Sequence, residues 1–197
     1  MVRAKAPSHA GPPREVRIIG GVWKRSKLPV ADRPGLRPTP DRVRETLFNW
    51  LGQNLSGWRC LDAFAGTGAL GFEAASRGAT DVVLLERDGA LVAQLLASKE
   101  RLHAEGVRVE RADAVQWMAR AAPGAFDLVF LDPPFDTPLA LPAMAAASRV
   151  VVAGGFVYAE VPKPIDAEAA HAAGLEAWRA ARAGAVHFHL FRKPDAA

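Results

Sequence analysis

From Trp58 onward the chain alternates short apolar runs with stretches of helical period. The runs predict strands at residues 60–63, 82–86, 107–111 and 128–132. Helical patterns follow the first three, at 69–77, 90–103 and 114–121, and the Ala-rich stretch 139–152 after the fourth reads as helical at least in part. Two more strands are predicted at 156–161 and 186–192. Such alternation implies an α/β fold with a parallel sheet wrapped on both faces. Crossovers in such a sheet are right-handed, and ligands bind outside the carboxyl ends of its strands. Nearer the N-terminus, Val16-Arg17-Ile18-Ile19-Gly20-Gly21-Val22-Trp23 reads as strand, Gly-Gly turn, strand: a small hairpin. Asp41 reads as a helix N-cap behind Pro40, with Val43, Leu47, Trp50 and Leu51 on one apolar face. The expected organisation is a flexible basic tail at 1–15 and a single domain at 16–197, of which 16–36 is a basic hairpin extension.

The chain has 197 residues, 50% hydrophobic and 23% charged, which suits one soluble domain with a sizeable core. No apolar run approaches the roughly twenty residues of a membrane span, and the polar, Pro-rich start carries no secretory h-region. Cys60 is the only cysteine, so neither an internal disulfide nor a cysteine zinc cluster is possible. A reducing cytoplasm is the natural setting. Charge changes the picture more. Residues 1–50 hold eleven Lys/Arg against four Asp/Glu, a net of +7, which leaves −3 on the rest of a +4 chain. A basic N-terminal block on a near-neutral body is an electrostatic footprint for phosphate backbones, although solvated tails are often basic as well.

The strand Leu128-Val129-Phe130-Leu131 runs into Asp132-Pro133-Pro134-Phe135. Prolines hold φ near −65° and have no N–H, so they favour a stiff turn whose carbonyls point outward. An acid, outward carbonyls and a flat ring together can grip a planar base by its exocyclic amine. That amine shares its lone pair with the ring, so methylating it requires the nitrogen to be drawn toward tetrahedral geometry. Asp132 would accept one amine hydrogen and the Pro133 carbonyl another. Phe135 would stack on the base, a contact worth about 1–3 kcal/mol. A paired base must first leave its stack.

Gly66, Gly68 and Gly71 satisfy Gly-x-Gly-x-x-Gly after the first of these strands, and Glu86 ends the next, where a carboxylate can hold ribose hydroxyls. NAD and S-adenosylmethionine (SAM) fit this much equally. Asp62 separates them: an acid before the glycine turn is unfavourable beside a pyrophosphate but helps a cofactor that carries an ammonium and a sulfonium. Asp113-Ala114, after the third strand, suits an adenine amine and ring nitrogen, or equally an N-cap. His187 and His189 share a sheet face, but no further ligand is near, and no metal is expected.

The chain resembles the RsmD family of bacterial 16S rRNA guanine-N2 methyltransferases. The likeness runs through Arg17 to Trp23 with Lys27-Leu28, through Arg37-Pro38-Thr39-Pro40-Asp41-Arg42-Val43-Arg44-Glu45-Thr46-Leu47-Phe48-Asn49-Trp50-Leu51, and through Leu61 to Gly71. It continues at Glu86-Arg87-Asp88, Asp113-Ala114 and Asp132 to Phe135, and the block from Arg37 to Leu51 is its most particular part. The resemblance implies a Rossmann-like class I methyltransferase fold with a seven-stranded sheet and SAM as methyl donor. It puts the methionine end of SAM near Asp62, Phe64 and Gly66, with the block from Thr39 to Asn49 packed over it. Glu86 would meet the ribose, Asp113 and Ala114 the adenine, and Thr67, Gly68 and Arg87 would also bind the cofactor. Asp132, Pro133, Pro134 and Phe135 would be catalytic, and Arg17, Trp23, Lys24, Arg25, Lys27 and Arg37 would contact RNA. The implied partner is 16S rRNA in the small ribosomal subunit or its assembly intermediates, met by a cytoplasmic monomer with no metal and no membrane. The alternatives are an amino-methyltransferase acting on DNA adenine or a protein amide and, last, a non-catalytic RNA-binding module. One departure stands out: Ala185, Phe188 and Phe191 occupy positions where Gln and Tyr are usual, which bears on base selection.

Overall fold

The computed structural model describes residues 15–31 and 39–195. The expected tail and Arg37 therefore fall outside the described residues, apart from Glu15. A two-stranded ribbon, β1 (Glu15–Arg17) and β2 (Lys27–Pro29), precedes α1 (Asp41–Trp50). Then come β3 (Arg59–Asp62), α2 (Ala69–Ser76), β4 (Asp81–Glu86), α3 (Gly89–Leu102), β5 (Val107–Arg111), α4 (Ala114–Arg120) and β6 (Phe126–Leu131). The last elements are α5 (Ala140–Val150), β7 (Val151–Val161), α6 (Ala167–Ala172), β8 (Glu176–Ala183) and β9 (Val186–Arg192).

Seven strands form one sheet in the order β5-β4-β3-β6-β7-β9-β8. The first five are mutually parallel, whereas β9 is antiparallel to both β7 and β8, so the sheet is mixed rather than wholly parallel. Alternation along the buried strands sends side chains to two cores. On one face Cys60, Leu84, Phe130 and Tyr158 pack with residues of α1, α2 and α3 and with Ile18 and Leu28 of the ribbon. On the other, Leu61, Leu85 and Leu131 pack against α4, α5 and α6. Cys60 is fully buried, and burial raises its thiol pKa, as suits a small core residue.

Strand β8 and helix α6 have no counterpart in the sequence prediction. The β8 segment, Glu-Ala-Trp-Arg-Ala-Ala-Arg-Ala, has the composition of a surface helix and lies exposed at the sheet edge, where pairing to β9 overrides propensity. The N-terminal hairpin also differs from expectation. Its return strand starts at Lys27, not Val22, because the backbone between is engaged elsewhere. Ile19 and Gly20 N–H groups donate to the Glu73 carboxylate, both at 2.8 Å, and Val22 N–H donates to the Ser76 carbonyl at 2.8 Å. Gly21 has φ +72° and lies so close that a Cβ would sit 1.7 Å from the Ser76 oxygen. Asp41 is the first helical residue rather than the cap, which is Pro40, and its side chain accepts from Arg44 Nη2 instead.

Arg44 and Glu73 are both completely buried. Glu73 accepts the two ribbon N–H groups, Arg44 Nη1 at 3.1 Å and Arg77 Nε at 2.8 Å. Arg44 also donates to the carbonyls of Arg17 (2.7 Å) and Thr39 (3.2 Å). Truncating one partner of such a pair strands the others unpaired in the core. Glu73→Ala is therefore expected to cost about 3–5 kcal/mol, seen as a lower urea midpoint at unchanged slope. An unmoved midpoint would mean that the network carries no stability.

Candidate active site

The carboxyl ends of the parallel strands converge on a set of acids that strand alternation places on one face. Asp62 follows Cys60 by two residues on β3, Glu86 follows Leu84 on β4, Asp132 follows Phe130 beyond β6, and Glu160 follows Tyr158 on β7. Each therefore projects toward the face covered by α1 and α2. Leu131 pairs with Ala159, so Asp132 and Glu160 are side by side one residue further on.

The loop after β3 is shaped by close approaches. Gly71 N–H donates to Asp62 Oδ2 at 3.0 Å, and a Cβ on Gly71 would meet Leu84 at 2.1 Å. Gly68 takes φ +78°, and a Cβ there would meet Phe72 at 2.6 Å. Gly66 N–H donates to Glu86 Oε2 at 3.0 Å, while Glu86 Oε1 accepts from the N–H groups of Arg87 (2.7 Å) and Asp88 (2.8 Å). Glu86 thus fastens the glycine loop to the end of β4. Thr67 is buried beneath the loop, and Phe64 is half-buried against the second core. Asp113 caps α4 through Gln116 N–H at 3.0 Å and is exposed beside the buried Ala114.

Burial sets the charge state of the acids. Burial first, then the charges of Glu86 and Glu160, raises the Asp62 pKa to about 7 against the pull of the Gly71 N–H. Burial also pushes Asp132 well up, followed by the charges of Glu160 and Asp62. Glu160 is raised by burial as well, while the hydroxyls of Thr39 and Tyr158 and the charge of Arg44 act to lower it. These acids outnumber the cations that face them, an arrangement that favours a positively charged ligand.

Of these acids Glu160 borders a cavity of about 270 Å³, which is also lined by Pro133, Pro134 and Phe135 of the turn after Asp132 and by Lys163 and Asp166 among others. The Phe135 ring is 41% exposed, enough to offer a face for stacking.

Asp62, Gly66, Thr67, Gly68, Glu86 and Asp132 lie at the carboxyl ends of the adjacent strands β4, β3 and β6 or in the loop after β3, and Asp113 lies at the end of the neighbouring β5. Thr39 is there too, but its hydroxyl is committed to Glu160 Oε1 at 2.7 Å, so it positions that acid instead of facing a cofactor. Arg87 is exposed, and its carbonyl accepts Arg111 Nε. The basic residues are less united with the site. Arg17, Lys24, Arg25 and Lys27 are exposed on the ribbon, Lys27 paired with Glu15 at 2.7 Å, while Trp23 is half-buried. The turn carrying Trp23, Lys24 and Arg25 docks at Ser76, the end of α2 remote from the glycine loop. Phe188 and Phe191 are buried, one in each core: Phe188 stacks on Trp50 at 5.4 Å and pairs with Glu160 across β7 and β9, beside the acids, whereas Phe191 faces the other core. His189 Nε2 accepts from Ile165 N–H at 3.4 Å, and among the described residues no His, Cys, Asp or Glu cluster suits a metal.

Sequence reasoning missed Glu160, Tyr158, Arg44 and Glu73. The one available signal for Glu160 was a charge inside the apolar run Phe156 to Val161.

Strand order, the acidic strand ends and the glycine loop define a class I methyltransferase fold, and likeness to the precorrin-6y C5,15-methyltransferase of Geobacter metallireducens bears on fold alone (TM-score 0.68, 15% identity, 84% of this chain and 94% of that one). Residues 16–192 match the family described as Conserved hypothetical protein 95, and the chain belongs to that family. Among curated relatives, the Escherichia coli K12 protein named ribosomal RNA small subunit methyltransferase D is 50% identical over 131 residues, 66% of this chain and 65% of the relative. That alignment thus spans just under two-thirds of the relative's length. The Haemophilus influenzae protein of the same name is 40% identical over 168 residues, 83% of this chain and 86% of the relative. The solved Escherichia coli protein yhhF superposes with TM-score 0.78 at 38% identity, covering 93% of this chain and all of its own. The resemblance to RsmD drawn from the sequence therefore holds.

The donor set fits SAM: buried acids for its cations, and at the second strand end a carboxylate for its ribose, fastened to a glycine loop whose close packing excludes Cβ atoms. Because the Asp62 carboxyl holds its proton up to about 7, a cationic ligand that favours the ionised form must release that proton. SAM affinity is expected to rise with pH toward about 7 and level off above it. Calorimetry in buffers of different ionisation enthalpy would count the proton, and Asp62→Asn should remove the dependence. Proton-neutral binding at about pH 6 would exclude this linkage.

Proposed function

We propose that this protein transfers a methyl group from SAM to the exocyclic N2 of a guanine in 16S rRNA of the small ribosomal subunit. What carries the reading is the Asp132-Pro133-Pro134-Phe135 turn, set beside a buried acid cluster and an open cavity. The names of the relatives support an rRNA substrate. SAM would supply a methyl group already activated on a cationic sulfur.

The chain's own residues do the rest. Asp132 accepts one hydrogen of the amine, and the Pro133 carbonyl accepts the other, turning the nitrogen lone pair out of the base plane. Pro134 keeps this turn stiff, so the geometry exists before the base arrives, and positioning of this kind removes much of a bimolecular barrier. Phe135 stacks on the extruded base. The surrounding burial raises the Asp132 pKa, which equips its carboxylate to take the proton released as the new N–C bond forms. The reaction needs no metal and no second protomer, and its setting is the cytoplasm, where small subunits assemble. The basic ribbon would meet rRNA away from the reacting base, on a substrate large enough to reach both.

The direct test is transfer of labelled methyl from SAM to small subunits from a strain lacking the enzyme, followed by nucleoside analysis. N2-methylguanosine at one site is expected, and Asp132→Ala should lower transfer by about 10²-fold or more while leaving SAM affinity nearly unchanged. Label found only in DNA or protein would replace the substrate, and no label under SAM-binding conditions would leave a non-catalytic RNA-binding module. Reversing Arg17, Lys24 and Arg25 together should weaken subunit binding and flatten its salt dependence by about one unit of slope for each phosphate no longer neutralised. An unchanged slope would take the ribbon out of the interface.

A further inference from the structure

We propose that Glu160 selects guanine, accepting the N1–H of the target base with Oε2 while Asp132 takes the adjacent amine. This inference rests on the guanine-N2 reading above and extends it to how the base is chosen.

Glu160 is only 3% exposed, yet its carboxylate is bound on one side alone. Thr39 Oγ1 donates to Oε1 at 2.7 Å and the Tyr158 hydroxyl donates to the same oxygen at 3.0 Å. Among the described residues nothing donates to Oε2, and no buried side-chain oxygen is left without a partner. Oε2 must therefore reach accessible space, and Glu160 borders the cavity beside Pro133, Pro134 and Phe135. Two hydroxyls gripping one oxygen fix where the other points. A carboxylate built only to anchor Thr39 would have no reason to keep its second oxygen accessible and unbonded.

The neighbour completes the argument. Adjacent strands lie about 4.8 Å apart, and Asp132 and Glu160 stand one residue beyond a register pair. Guanine offers two donors side by side on its Watson–Crick edge, N1–H and the N2 amine, to be read once the base is flipped. Two neighbouring carboxylates match that edge. Adenine offers an acceptor at N1 and no amine at C2, so a carboxylate at Glu160 would meet a lone pair. So would 2,6-diaminopurine, which keeps the reacting 2-amine but has no N1–H. That base separates selection from chemistry.

The test uses small subunits whose target guanine, as mapped by the nucleoside analysis, is replaced by 2,6-diaminopurine. Wild type is expected to favour guanine by on the order of 100-fold in kcat/KM. Glu160→Gln keeps the oxygen that Thr39 and Tyr158 hold and turns an amide donor toward the base. It should lower guanine transfer and raise diaminopurine transfer, narrowing the ratio by a similar factor at unchanged SAM affinity. Tyr158→Phe, which loosens the grip on Oε1, should narrow it several-fold and serves if Glu160→Gln does not fold. Equal wild-type rates on the two bases would overturn the proposal without any variant. So would a variant that loses both activities in proportion, because that is what a merely structural Glu160 would do. Absence of N2-methylguanosine on unmodified subunits would instead defeat the underlying reading.

Discussion

The buried pair Arg44–Glu73 is the constraint through which ribbon, helices and site are held in one arrangement. Taking a guanidinium and a carboxylate out of water is costly, and their attraction offsets that only when the remaining donors and acceptors are filled. Here they are. Glu73 receives two backbone N–H groups and two guanidinium donors, and Arg44 donates to two carboxylates and two carbonyls. The partners come from the ribbon, from α1 and from α2, so none of these elements can shift without orphaning a buried charge. The same fastening continues inward. The Thr39 carbonyl that Arg44 holds belongs to the residue whose hydroxyl holds Glu160, and Glu160 is bound in turn by Tyr158. A rigid path leads from the N-terminal ribbon to the edge of the cavity, which suits a site whose parts must stay in place as a large substrate docks.

Period-two patterning made the acid cluster partly legible. Three of the four acids close apolar strand runs, and once the runs at 60–63, 82–86 and 128–132 were read as parallel strands, Asp62, Glu86 and Asp132 had to gather at one end of the sheet. Gly66, Gly68 and Gly71 were legible for the same reason, since a strand-to-helix turn this tight excludes Cβ atoms. Glu160 escaped because one charge in an apolar run reads equally well as a solvent-facing position. Its partners, Thr39 and Tyr158, are 121 and 2 residues away. No local pattern encodes the first of these.

The other misses share a cause. In the ribbon, Gly20-Gly21 looked like a hairpin turn because local sequence cannot show that Glu73, more than fifty residues on, claims the neighbouring N–H groups. In β8 the Ala and Arg content argues for helix, and only pairing with β9 makes it a strand. Both are tertiary overrides of weak local preference, and both lie away from the acids. Error in the periphery did not move the strand ends that carry Asp62, Glu86 and Asp132, because those ends belong to the strongly patterned central strands.

The molecule treats its inward-facing acids in opposite ways, and the difference separates scaffold from site. Glu73 is as deep as any residue in the chain, and its four donors leave nothing more for it to bind. Asp132 receives no hydrogen bond from the described residues, and Glu160 is bound through one oxygen only. Clustering carboxylates with so little compensation opposes folding, since burial and then the neighbouring carboxylates raise the pKa of Asp62 and Asp132 and bias the apo state toward protonation. A structural purpose would be better served by amides or apolar residues. The arrangement makes physical sense if the missing partners arrive with ligands: a cation to offset the charge near Asp62, and donors from a base to fill Asp132 and Glu160. The protein had the means to satisfy a buried carboxylate, as Glu73 shows, and left Asp132 and one oxygen of Glu160 open at the carboxyl ends of the strands.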